Sequence, residues 1–179
     1  MLTLASGSPR RAKILREQGL EFRVLKTEAA EIKIDSDPER TVRENAVAKL
    51  LAAGDTDPVL AADTIVWLDG KIYGKPRDLE EAKAFLRELS GRTHRVYTGV
   101  AYRAEGRLRT AVAVSLVTFK RLSDRDIAEY VALVKPVDRA GAYDIDDYGP
   151  LVIAGFEGEY ENIMGLPLAP LRELGIVDG

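Results

Sequence analysis

Cysteine is absent from this chain of 179 residues, and histidine and tryptophan occur once each. The missing thiol excludes disulfides, thiolate nucleophiles and sulfur-ligated zinc. With a single histidine, any divalent metal must be held by carboxylates and water, which suits Mg²⁺ or Mn²⁺, the ions of phosphate chemistry. A Ser-His-Asp triad would have to use His94, which stands in Gly91-Arg92-Thr93-His94-Arg95-Val96-Tyr97 with no nucleophile motif beside it. We therefore give His94 a structural role. There is no apolar run of about eighteen residues and no basic-then-apolar leader, so we expect neither a membrane span nor export, and a cytoplasmic address. The net charge of −3 lacks the basic excess that duplex nucleic acid demands, and no nucleic-acid partner is expected. A Gly-x-x-x-x-Gly-Lys-Ser/Thr phosphate loop is missing, as is a dinucleotide-binding glycine fingerprint.

What is present begins at the first residues. Leu2 to Ala5 is a short apolar strand, broken by Ser6-Gly7; Ser8-Pro9 then reads as an N-cap followed by proline at the first helical position. The helix continues through Ala12, Ile14 and Leu15 to a glycine stop at Gly19. A strand that delivers a glycine turn and a helix N-terminus presents free backbone N–H groups to an anion. Arg10 and Arg11 in the first turn oppose the helix dipole, which favours acids there. That cost points to a phosphate cradle.

Along the chain, Phe22 to Leu25 reads as a second strand and Thr27 to Ser36 as a loop. Asp37-Pro38 starts a helix whose apolar face is Val42, Ala46, Leu50 and Ala53, with Lys49 at the border of that face. Val59 to Ala62 is a short buried strand ending in Asp63-Thr64. Ile65 to Leu68 and Lys71 to Tyr73 form a hairpin about Asp69-Gly70. Asp78 caps a helix over Leu79 to Leu89, with Glu81 as a capping-box partner. Two long strands, Val96 to Tyr102 and Leu108 to Phe119, turn at Glu105-Gly106. Ser123 with Asp126 opens a helix that ends before Pro136, Leu151 to Ala154 is a last strand, and Gly165-Leu166-Pro167 starts a final short helix. Mixed helices and hairpins indicate an α/β fold with a mixed central sheet flanked by helices, within one domain over residues 1–179.

Among the ionisable residues, Asp63 is the most informative: a carboxylate at the C-terminal end of a buried strand lies where open α/β sheets bind ligands. Glu31 and Asp35 are candidate metal ligands or water-activating bases from the loop. Lys49 and Lys75 are candidate phosphate cations, Lys75 being pinned between Gly74 and Pro76. Asp144, Asp146 and Asp147 crowd three like charges together, either as a solvated loop or as a contact to a metal or a nucleotide base.

Taken together, Leu4-Ala5-Ser6-Gly7-Ser8-Pro9-Arg10-Arg11, the Lys49 helix, Ala62-Asp63-Thr64-Ile65-Val66, Gly74-Lys75-Pro76-Arg77-Asp78, Leu89-Ser90-Gly91-Arg92-Thr93-His94, Ala140-Gly141-Ala142-Tyr143 and Gly165-Leu166-Pro167-Leu168 resemble the Maf family of nucleoside triphosphate pyrophosphatases, also called septum-formation inhibitor proteins. The resemblance implies two lobes around a cleft, a fold similar to the inosine triphosphate pyrophosphatases, and a homodimer. It implies hydrolysis of a nucleoside triphosphate to the monophosphate and pyrophosphate, assisted by Mg²⁺ or Mn²⁺, in cleansing the nucleotide pool. By motif position, Ser8, Arg11, Lys49 and Lys75 would bind phosphate, while Glu31 and Asp63 would hold metal and activate water. Which acid is the base stays open. Arg10 and Thr64 resemble the subgroup acting on dTTP and UTP. Asp146 departs: that subgroup has glutamine there, and the other, directed to 7-methylguanosine triphosphate, has glutamate. An aspartate cannot donate a hydrogen bond as an amide does, so a purine-directed pyrophosphatase stands as the alternative. From another class, a nucleotide-binding regulator of cell division would bind without hydrolysing.

Overall fold

The computed structural model describes all residues, Met1–Gly179. Its elements run β1 (Leu2–Leu4), α1 (Pro9–Glu17), β2 (Phe22–Val24), α2 (Pro38–Leu51), β3 (Val59–Leu68), β4 (Lys71–Tyr73), α3 (Leu79–Leu89), β5 (Thr93–Ala104), β6 (Arg107–Phe119) and α4 (Asp124–Val134). Two 3₁₀ turns follow, at Ala140–Ala142 and Gly149–Leu151, then β7 (Ile153–Glu157), α5 (Tyr160–Met164) and α6 (Leu168–Glu173). The seven strands make one mixed sheet in the order β2-β1-β3-β5-β6-β7, with β4 also paired to β3. The fold is α/β, with helices on the sheet. No helix is long and apolar enough to cross a membrane.

The helix starts form for the local reasons anticipated. Ser8, Asp37, Asp78 and Ser123 each accept a first-turn backbone N–H, a contribution of about 1 kcal/mol apiece. Asp69 and Gly70 both take positive φ, as the two-residue hairpin between β3 and β4 requires. Glu81 differs from expectation. Its carboxylate reaches back to the Arg77 N–H and guanidinium rather than to Asp78, so the box at α3 is not closed. The last strand lies two to three residues later than expected, and α5 was not anticipated, being one short turn ended by Gly165 at φ 111°.

The larger correction concerns β3. Val59 to Leu68 is one continuous ten-residue strand, not a short strand followed by a hairpin arm, and Asp63 stands in its middle. It continues because β5 pairs with it antiparallel from Val59 to Trp67 without a break. The opposite edge is shared. β1 runs parallel to β3 at Val59 and Leu60, and β4 runs antiparallel to it at Val66 to Leu68. The C-terminal ends of β1 and β4 therefore point at each other across the unpaired edge of β3 around Asp63 and Thr64. The strand-end rule thus applies to β1 and β4 rather than to β3.

Side chains alternate across the sheet. On one face, Leu60, Ala62 and Val100 belong to a core built with α1, α5 and α6, while Val66, Leu68 and Val96 belong to another built with α3 and α4. Between these two apolar bodies the same face carries Thr64 opposite Thr98, hydroxyl to hydroxyl at 2.9 Å. On the other face, α2 covers Val59, Ala61, Ile65 and Tyr97. The polar threonines mark the seam between these two cores.

His94 has the structural role expected of it. It is 1% exposed, edge-on to Phe119 and Tyr143, with Nε2 2.8 Å from the Tyr143 hydroxyl. Burial pushes its pKa down to about 3, so the ring is neutral at physiological pH.

Candidate active site

The unpaired edge of β3 opens into a cleft of about 590 Å³. Because the gap interrupts the sheet, side chains from both faces reach it: Asp63 from the α2 side and Thr64 from the seam. The turn after β1 (Ser6 to Ser8), the first turn of α1 (Arg10, Arg11) and Lys75 after β4 complete the near walls. Six cations against four carboxylates line it, a positive excess inside a chain whose net charge is −3. Such a hollow attracts a polyanion.

Asp63 is 5% exposed and both its oxygens are held by one helix. Lys49 Nζ donates to Oδ1 at 2.7 Å, and Asn45 Nδ2 donates to Oδ2 at 3.1 Å. Asn45 and Lys49 are four residues apart on α2 and so share a face. Glu31, from the loop before α2, lies 3.0 Å from the same Lys49 ammonium. Two carboxylates thus converge on one cationic position. Gly99, directly across the ladder from Asp63, makes this approach feasible. A Cβ there would lie 2.4 Å from the Val42 carbonyl oxygen and 2.8 Å from Arg43 N, so the α2 backbone rests on the space a side chain would fill.

Arg11 ties the opposite wall together. Its Nε donates to the Gly165 carbonyl at 2.7 Å, and its terminal nitrogens donate to the Ser6 and Thr64 hydroxyls, each at 3.1 Å. Burial lowers its pKa to about 10 against the opposing pull of Asp63, which leaves it charged at neutral pH. Lys75 contrasts with it, being exposed, in the wall, and held by no carboxylate. The turn that carries it is fixed by the Gly141 N–H, which donates to the Gly74 carbonyl at 3.2 Å. Farther along, buried Asp144 accepts from Arg139 Nε at 2.7 Å, with Arg10 3.7 Å away.

The cleft therefore brings together Ser8, Arg10, Arg11, Glu31, Lys49, Asp63, Thr64 and Lys75. Two expectations fail. Asp35 does not reach the cleft; its carboxylate accepts the Ile72 N–H at 2.8 Å and so fastens the loop to β4. Asp146 is not in the cleft wall either. Its N–H donates to Asp144 Oδ1 at 2.8 Å, a local turn that faces Asp144 inward and sends the Asp146 side chain out to Lys13 at 3.1 Å and the Tyr160 hydroxyl at 2.9 Å. Hydrogen bonds from Lys13 and then Tyr160 hold the Asp146 pKa below the usual carboxylate range. Sequence reasoning missed Asn45, Arg139 and Lys26; a polar residue one turn before Lys49 on a buried helix face was the available signal for the first.

Two hard carboxylate oxygens facing one cation position suit Mg²⁺ or Mn²⁺, which take one or two protein carboxylates and fill the remaining positions with water and phosphate oxygens. No group of three or more such ligands converges anywhere.

A family model described as Maf-like protein matches residues 1–175. The chain belongs to the Maf family. Among relatives, the dTTP/UTP pyrophosphatase of Escherichia coli (strain K12) is 42% identical over 178 residues, covering 97% of this chain and 90% of its own length. That of Akkermansia muciniphila is 40% identical over 169 residues, with 92% and 89% covered. That of Thermosipho melanesiensis is 35% identical over 173 residues, with 97% and 95% covered. Membership spans both cores and the cleft, since residues 1–175 include every wall described above.

Proposed function

We propose that this Maf protein hydrolyses nucleoside triphosphates, dTTP and UTP foremost, to the monophosphate and pyrophosphate, and so clears unwanted nucleotides from the pool. The observation that carries the reading is the convergence of Glu31 and Asp63 beside Lys49, in a cleft that also holds Arg11 and the unpaired Lys75. The names of the relatives supply the substrate class. Asp146, which kept the purine alternative open, is engaged outside the cleft wall by Lys13 and Tyr160.

The chemistry follows from charge. A triphosphate brings several negative charges and needs fixed cations to bind, and more charge grows on the departing pyrophosphate as the bond to the α-phosphorus breaks. Lys75 is free to meet it, the turn after β1 offers the Ser6 and Gly7 N–H groups, and Arg11 ties that turn to Thr64 and Gly165. Water attacks in line; one of the two carboxylates orients it and takes its proton. Glu31 and Asp63 would hold the divalent ion, which would supply Lewis-acid polarisation of the phosphate oxygens. The family resemblance supports a homodimer working in the cytoplasm.

A panel of ribo- and deoxyribonucleoside triphosphates with Mg²⁺ or Mn²⁺, scored for released pyrophosphate, tests this. The expected result is pyrophosphate from dTTP and UTP ahead of ATP, GTP and 7-methylguanosine triphosphate. Orthophosphate as the product, or tight binding with no product, would overturn it.

A further inference from the structure

Asn45 is 3% exposed, faces the cleft acids and carries no charge, yet its amide is fully committed. Its Oδ1 accepts the Ile32 N–H at 2.8 Å, and its Nδ2 donates both to the Ile32 carbonyl at 2.9 Å and to Asp63 Oδ2 at 3.1 Å. Only one orientation of the amide satisfies all three, because the peptide of Ile32 demands an acceptor for its N–H and Asp63 demands a donor. Ile32 is the residue after Glu31. One side chain therefore grips the backbone beside the first acid and the carboxylate of the second.

Nothing else performs both tasks. Lys49 touches both acids, but through a flexible stem and a charge that a metal would compete with. Thr41, one turn earlier on α2, holds the same loop by accepting the Ile34 N–H at 3.0 Å, with no contact to Asp63. The Asn45 amide is neutral, short and buried, so it persists when the charges around it rearrange. Groups that orient metal-binding carboxylates in this manner govern affinity without touching the metal.

We propose that Asn45 is a positioning residue that sets the spacing of Glu31 and Asp63 and thereby the affinity of the site for its divalent ion. This rests on the pyrophosphatase reading. It assigns to a residue that touches neither substrate nor metal control over how much metal the reaction needs.

The test compares Asn45→Leu and Asn45→Asp with wild type. Pyrophosphate release from dTTP is followed across Mg²⁺ concentrations, and Mn²⁺ binding without nucleotide is followed by electron paramagnetic resonance. Both variants are expected to need about 10- to 100-fold more Mg²⁺ for half-maximal rate and to bind Mn²⁺ correspondingly more weakly. At saturating metal, kcat falls while the KM for dTTP stays within about threefold, because Arg11 and Lys75 are untouched. Aspartate keeps the acceptor for the Ile32 N–H but loses the donors and sets a like charge against Asp63. It is therefore expected to be at least as impaired as leucine. A purely structural role reverses that order, since aspartate would retain part of the loop anchor. A leucine variant with unchanged metal requirement, or an aspartate variant midway between leucine and wild type, would overturn the proposal. Should the leucine variant not fold by circular dichroism, an unchanged Mg²⁺ requirement in Asn45→Asp would overturn it alone. If wild type released no pyrophosphate from any triphosphate, the pyrophosphatase reading would fall, while the Mn²⁺ titration would still decide the role of Asn45.

Discussion

Asp63→Asn is expected to lower kcat for pyrophosphate release by about 10³-fold, within the range lost when a group that handles a proton in the transition state is removed. The replacement is nearly the same size and sits at the same point of β3, flanked by the unbroken ladder to β5. What changes is the charge and one acceptor. The new amide places N–H bonds where Lys49 and Asn45 already donate, so at least one of those contacts at 2.7 and 3.1 Å is lost. Lys49 keeps Glu31 as its counter-ion, so no ammonium is stranded and the fold should survive with a modest drop in Tm. Steady-state kinetics with circular dichroism checks both halves. A folded variant working within tenfold of the wild-type rate would remove Asp63 from the chemistry.

Gly99→Ala is expected to be the most damaging single methyl group in the chain. A Cβ there would stand 2.4 Å from the Val42 carbonyl oxygen and 2.5 Å from its carbonyl carbon, atoms of the α2 backbone that cannot rotate away. The strand is locked between β3 and β6, so α2 must lift. Overpacking of this kind costs about 3 kcal/mol, at the upper end of the usual range because the clash is with backbone. Activity should fall further than stability does, because Asn45 and Lys49 ride on the displaced helix and reach Asp63 only at close approach. Chemical denaturation together with dTTP hydrolysis at a temperature where the variant is folded checks this. An alanine variant with wild-type stability would mean that α2 does not rest where the structure puts it.

Much of this architecture is written locally in the sequence. The caps at Ser8, Asp37, Asp78 and Ser123 announce their helices because a side-chain oxygen three residues before an N–H is a local matter. The arginines at 10 and 11 advertise function for a related reason, since their charge is wrong for the end of the helix they occupy. What the sequence hides is long-range. The course of β3 through Asp63 depends on β5, some thirty-five residues on, supplying an uninterrupted partner. No local signal says that a charged residue will sit in the middle of a buried strand rather than at its end. The exchange of Asp146 for Asp144 at the cleft wall turns on a single backbone N–H, which rotates one carboxylate inward and the other out. Asn45 was only faintly marked, for a different reason. On a helix whose neighbours are Val42, Ala46 and Leu50 it reads as a polar residue at the edge of a core, and only the folded loop reveals the peptide and the carboxylate that it joins.

The seam between the two cores explains why the fold can carry such a site at all. A continuous apolar face would merge the two cores into one. Thr64 and Thr98 interrupt it, and Arg11 spans the break to Ser6, Thr64 and Gly165. The cleft thus costs the core two positions and gains a rigid polar floor under the place where a triphosphate would lie.

The most direct measurement is the fate of solvent oxygen. Wild-type protein hydrolyses dTTP in ¹⁸O-enriched water with Mg²⁺, and the products are separated and weighed by mass spectrometry. Attack at the α-phosphorus by a water readied between Glu31 and Asp63 puts the label in thymidine monophosphate and leaves the pyrophosphate unlabelled. Label in the pyrophosphate, with none in the monophosphate, would contradict the geometry claimed for the site.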